Sequence, residues 1–497
     1  MNILSVVMRS FSTFSTRTGG AHSNMKTIKS VPRRFLNAVK RSFRQFLALP
    51  LATVLGFVGL NAVVYLADRS WSGGEAPAGF RWLGDLLGDS AGLGSLLTTV
   101  ASSIITVTSI TFSLLLIAVQ QGSAALTAQV TDQFMARRTN QLYFGYFVGL
   151  SVFVLMTLVT NTGFHRPVFG TTLALLLTTS ALCLIIVMIY NTIDQMRPEQ
   201  IIQFIHGRVL EARTEDLRLL GATRRACRPG WTVVASVRSR ESGYVVGIDL
   251  ARIAKAVERH AKGEVEIDID IAIGSYRAVQ DPVFRVRCLP GVTLGSDARR
   301  FIVDETLAAL DYDDGRNLER DAAYGLYQLA TIAWTSVSTS KSNPSPGISV
   351  IQALRDIISQ WSDGETGTSE DAMSCIVYHD ATPTVATDAL EAVIVAASES
   401  MQSQTLSEAV TTLAILLRHV SQPTAERLAE VSRRALSSLG EHVLTRQLEA
   451  ALADLSDALR GRNFNIVSGA VSDSTAALAA SLGHLNSRST RVPGTTS

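Results

Sequence analysis

Charge is scarce in this chain. Only 18 % of its 497 residues are Asp, Glu, Lys or Arg, against roughly 25 % in an ordinary soluble domain. The net charge of +2 supplies no bulk attraction for nucleic acid, so a partner of that kind is not expected. Cysteine is rarer still. The four present are Cys183, Cys227, Cys288 and Cys375; with no C-x-x-C spacing and no Cys/His cluster in sequence, they imply neither a disulfide framework nor a zinc motif and fit a reducing setting. A Walker loop, a Gly-rich dinucleotide turn and a nucleophile elbow are all missing, so the sequence points to no enzyme, no cofactor and no metal. Apolar residues, by contrast, make up 47 % and mean hydropathy is +0.23, which rules out a disordered chain.

The apolar residues are concentrated in four windows, each long enough for a hydrocarbon core that needs about 20 of them. These are Leu47–Leu66, a second inside the uncharged stretch Ser90–Thr131, Gln141–Asn161 and Pro167–Tyr190. No Asp, Glu, Lys or Arg lies within these windows, which argues against a proton relay or charge-coupled transporter. Residues 1–45 carry nine basic residues and no acid, whereas Asp68–Asp89 carries two basic residues against four acidic ones. By the positive-inside rule the N-terminus is cytoplasmic, the first and third loops are outside, and everything after the fourth span is cytoplasmic. The expected location is a bacterial inner membrane. An Arg- and Ser-rich arm without acids also has the composition of a mitochondrial transit peptide, and Met25 is an alternative start.

The second span is the most informative segment. Ser95, Thr99, Ser102, Thr106, Ser109 and Ser113 recur at helical spacing, with Gln120 seven residues further. At 100° per residue all seven lie within about 40° of one line. Two readings compete. Small hydroxyl residues let membrane helices approach closely and hydrogen-bond, at on the order of 0.6 kcal/mol per bond. Alternatively the stripe lines a wet pathway, since hydroxyls solvate a passing ion without trapping it. The following connection, with Arg137, Arg138 and Asn140, would then form a cytoplasmic mouth favouring anions.

The remainder reads as an α+β region. Residues 194–227 look like an extension of the fourth span, ended by Pro229–Gly230. Strands are expected at Trp231–Val237 and Gly243–Ile248, and a helix at Leu250–His260. The alternation from Glu264 to Ile271 is a half-buried strand, with Glu264, Glu266, Asp268 and Asp270 on a solvated face rather than in a cation site. His379–Asp380 reads as a surface polar pair. Helices follow at Ser296–Ala309, Leu318–Ser338, Ile348–Trp361, Val385–Ser400, Ser407–Val420, Ala425–Gly440 and Leu444–Leu459, with a breaker at 342–347 and a polar linker at 362–369. The domain plan is a basic arm (1–45), a four-helix membrane domain (46–193), a linker helix with a small β subdomain (194–295), a helical subdomain (296–486) and a loose tail (487–497).

The order of these pieces resembles a family of predicted bacterial membrane proteins of unknown function, DUF2254, over roughly residues 45–360. The resemblance rests on ITVTSITFSLLLIAVQ in the second span, followed by Phe134, Met135, Arg137, Arg138, Asn140 and Gln141, with Arg137 where the family usually has an acid. It rests further on Ser242, Gly243, Tyr244, Val245, Ile248 and Asp249, and on Asp321, Gly325 and Leu329. The chain departs from the family pattern at Ser342, Asn343, Pro344 and Pro346. The resemblance implies a fold and topology but no activity.

The expectation is therefore a four-span α-helical membrane protein with a cytoplasmic α+β region. It would assemble in the lipid bilayer as a homo-oligomeric pore for a small ion or solute, gated by the cytoplasmic domain. A single polar face cannot enclose a channel alone. The rival is a membrane-anchored scaffold or signalling protein without transport.

Overall fold

The computed structural model describes residues 47–71, 90–125, 137–161, 167–195, 197–261, 263–338, 343–364, 375–435, 439 and 442–481. The basic arm, residues 72–89, the mouth segment 126–136 and the tail lie outside them. Among the described residues, four helices are long and apolar enough to cross a membrane by length and composition: α1 (Ala48–Trp71), α2 (Ser90–Ala125), α3 (Arg138–Thr160) and α4 (Val168–Gln195). They coincide with the four apolar windows. The chain divides into two compact units, Met1–Ile104 with Met135–Thr178, and Ile105–Phe134 with Thr179–Ser497.

In the first unit α1 packs along α3. Close approach is possible because α3 places Gly145 and Gly149 one turn apart against α1. A Cβ on Gly145 would lie 2.7 Å from Thr53, and one on Gly149 would collide with the Phe57 ring. This is small-residue packing of the kind membrane helices use when lipid supplies no hydrophobic drive. Asn61 donates to Thr157 Oγ1 at 2.9 Å, and the Phe57, Tyr146 and Phe153 rings meet edge to face.

Asp68, assigned from sequence to the first loop, instead lies in the last turn of α1 and is buried. Its two oxygens accept from the Phe169 and Gly170 amides, each at 3.0 Å. A helix start leaves such donors without intrahelical partners, and a carboxylate there also meets the positive end of the α4 dipole.

In the second unit α4 does not simply continue. A separate helix, α5 (Pro198–Gly221), begins at Pro198, with Arg197 extended as its N-cap. Proline lacks the amide needed to continue a helix and pushes the preceding residue out of helical geometry. Next come β1 (Thr232–Arg238), β2 (Gly243–Ile248), α6 (Leu250–Ala261), β3 (Val265–Ile269), β4 (Tyr276–Arg277), β5 (Pro282–Cys288), α7 (Ser296–Leu307) and β6 (Leu310–Asp313). The described residues continue with α8 (Ala322–Ser338), α9 (Pro344–Gly364), β7 (Ile376–Tyr378), α10 (Thr382–Glu399), α11 (Ser403–His419), α12 (Gln422–Ala435), α13 (Arg446–Gly461) and α14 (Asn465–Ser481).

One sheet has the order β1-β5-β3-β7, with β7 parallel to β3, and the other β4-β2-β6. The central strand β5, the short β7 and the helix α14 are absent from the sequence expectation. The expected breaker is also partly helical, because α9 starts at Pro344. A proline at the first helical position loses no bond, since amides of the first turn have no intrahelical acceptor.

Helix α5 joins two apolar cores. Its Ile201, Ile202, Ile205 and Val209 pack with α8–α14, and Leu220 at its end packs with the β region and α6.

Candidate functional site

Two groups of polar residues stand out, one on α2 and one where α5 meets the sheets. On α2 the buried line runs through Leu93, Leu97, Ala101, Ile104 and Thr108. Each residue of the hydroxyl stripe, from Ser95 through Thr99, Ser102, Thr106, Ser109 and Ser113 to Gln120, is exposed. At 100° per residue the stripe lies roughly 150° round the helix from the buried line. The polar face therefore lies on the side of α2 opposite its buried line. Thr99 donates to Ser95 O and Ser113 to Ser109 O, both at 2.9 Å. Such bonds satisfy hydroxyl donors inside the helix while leaving oxygen lone pairs outward. At the start of α3, Arg138 is exposed and Arg137 half-buried, but Asn140 is 2 % exposed.

The second group corrects the sequence reading of β3. Glu264 and Asp270 are exposed, yet Glu266 and Asp268 are buried. Alternation fixed which side chains share a face but not what covers it. The cover is the connection after α5, whose Arg224 pairs as an isolated bridge with Val377 of β7. Glu266 accepts from the Arg228 amide and lies 3.7 Å from Arg224 and 3.8 Å from Arg287, its cross-strand neighbour on β5. Asp268 lies 3.7 Å from Arg285, which also holds Asp270 at 2.8 Å. A buried carboxylate is tolerated when paired in this way.

His379 and Asp380 are likewise more than a surface pair. Asp380 accepts from both terminal guanidinium nitrogens of the buried Arg213 on α5, Nη1 at 2.9 Å and Nη2 at 2.6 Å, and Arg213 stacks over Trp361. His379 Nε2 lies 3.1 Å from Asp268 Oδ1. Cys227, on the covering connection, reaches the same carboxylate, so that donor atoms of Cys227, Asp268 and His379 lie within 4.8 Å of one another. Residues far apart in sequence thus form a Cys/Asp/His cluster that no spacing could reveal.

An open cleft of about 760 Å³ separates α5 from the β2–α6 turn. Glu211, Glu215, Asp216, Asp249, Asp311 and Glu319 line it against Arg218 and Arg320. Burial pushes the Asp216 carboxyl up to about 7, partly offset by Arg213 and reinforced by Asp380 and Asp321.

The motif residues have structural explanations. Asp249 accepts from the Arg252 amide at the start of α6. Asp321 accepts from the Tyr324 amide and holds Arg316 through two bonds of 2.7 and 2.9 Å. Gly325 gives room to Val209, with which any Cβ would collide, and Leu329 is fully buried.

A family model described as predicted membrane protein (DUF2254) matches residues 44–405. No curated protein and no solved structure matches the chain.

Proposed function

The chain belongs to the DUF2254 family of predicted membrane proteins, and from that premise we propose that it forms a homo-oligomeric pore for a small ion or solute in a bacterial inner membrane. Ser95, Thr99, Ser102, Thr106, Ser109, Ser113 and Gln120 of α2 line the pathway. Arg137 and Arg138 stand at its mouth. The α+β region is cytoplasmic, as are both termini, and acts as the gate.

The observation that carries this reading is the exposure of every stripe residue on the side of α2 opposite its buried line. In a bilayer, a polar face of this length gains most by meeting water or a like face on another copy. Copies arranged around an axis supply both.

The rival scaffold reading has one observation in its favour. Tyr327 and Trp334 of α8 are exposed beside an apolar groove of about 420 Å³ shared with Val385 and Ala389 of α10.

Single cysteines at stripe positions, in a background lacking the four native ones, separate the two. In membranes Thr99→Cys, Ser102→Cys and Thr106→Cys should react with a small charged thiol reagent, whereas Ile104→Cys on the buried line should not. A stripe that is silent at all three positions, in protein shown to be inserted and folded, would sink the pore.

A further inference from the structure

We propose that Cys227, Asp268 and His379 bind a divalent cation of the zinc class. The site lies in the α+β region and does not depend on the assignment of the pathway. Its three donors come from three separate segments: the connection after α5, strand β3 and the residue following β7. They already converge within 4.8 Å. Zinc bonds of about 2.0–2.3 Å put neighbouring tetrahedral ligands roughly 3.3–3.7 Å apart, so small side-chain rotations close the gap. One sulfur, one imidazole nitrogen and one carboxylate oxygen form a donor set that favours zinc-class ions over calcium or magnesium, which prefer oxygen alone.

The surroundings are arranged for a ligand carboxylate. Asp268 has a side chain only 4 % exposed. Its Oδ2 faces Arg285 at 3.7 Å while Oδ1 faces His379 at 3.1 Å. Arg285 thus orients the carboxylate from behind and leaves the other oxygen for the ion, as outer partners of metal ligands do. Arg224 and Arg287 lie against Glu266, and Arg285 bridges Asp268 and Asp270. The imidazole and the thiol both lie against Asp268, so an ion would replace these contacts with bonds to the same three side chains. His379 is 54 % exposed, which gives an ion entry from solvent and leaves a fourth coordination position to water. A bound ion would tie the connection leaving α5 to the edge of the β3–β7 pair.

The test is Co²⁺ titration of the full-length, reduced, metal-free protein in detergent. The expected result is a thiolate-to-cobalt charge-transfer band that saturates at about one ion per chain and is displaced by zinc. Cys227→Ser should abolish the band, His379→Ala should weaken binding about tenfold or more, and Cys375→Ser and Cys288→Ser should leave it intact. If Cys227→Ser does not fold, His379→Ala at its exposed position carries the same decision. The proposal is overturned by a wild-type protein that shows no band, by a band that survives Cys227→Ser or is unchanged in affinity in His379→Ala, or by one lost in Cys375→Ser.

Discussion

Asp216 sits at the edge of the acidic cleft, with its carboxyl raised from 3.8 to about 7 by burial. An acid whose folded pKa exceeds its unfolded one binds more protons folded than unfolded between those values. Its contribution to stability is therefore full below about pH 4 and is lost as pH rises through about 7. Asp216→Asn removes the ionisation. In thermal unfolding of the detergent-solubilised protein, the variant should match wild type near pH 4 and exceed it near pH 8, by on the order of a few kcal/mol. A constant difference across that range would place the effect elsewhere. The buried carboxylates Glu266 and Asp268 show what a sequence withholds at this scale. Their period of two was plain, but the arginines and the connection that bury them lie on other strands and in an irregular segment. The same holds for Cys227 and His379, which only the fold brings together.

Among the elements, the length of apolar runs located the four membrane-capable helices, and periodicity located β2, α6 and most of the downstream helices to within a few residues. The failures have local causes. β7 has only three residues, too few for a period to register. β5 alternates apolar residues with Arg285 and Arg287, a pattern that reads as a strand only once Asp268 and Glu266 stand opposite them on β3. Pro198 carries a legible break signal, overridden by the apolar run around it. Glycine motifs gain their meaning only from the packed elements. Gly325→Ala should push α8 away from Val209 on α5 and cost about 1–3 kcal/mol as overpacking. The double variant Gly325→Ala/Val209→Ala should recover part of that loss in the same unfolding measurement. No recovery would mean that the glycine acts through something other than this contact.

For the molecule as a whole, four membrane-capable helices lead into an α+β region whose first helix, α5, belongs to both of that region's apolar cores. A shift of α5 would therefore be felt by the sheet and the helical bundle together. The acidic cleft and the Cys/Asp/His cluster both border this helix or the connection leaving it. The stripe on α2 was legible from spacing alone; its outward orientation was not, because it depends on which face the rest of the chain buries.

The proposed pore is tested most directly by ion flux in proteoliposomes, comparing wild type with Thr106→Leu after both are shown to reconstitute as the same oligomer. The account predicts flux through the wild type and its loss in the variant, because an apolar side chain at the middle of the stripe closes a narrow hydrated path. Wild-type flux that persists undiminished in Thr106→Leu would contradict a pathway lined by α2.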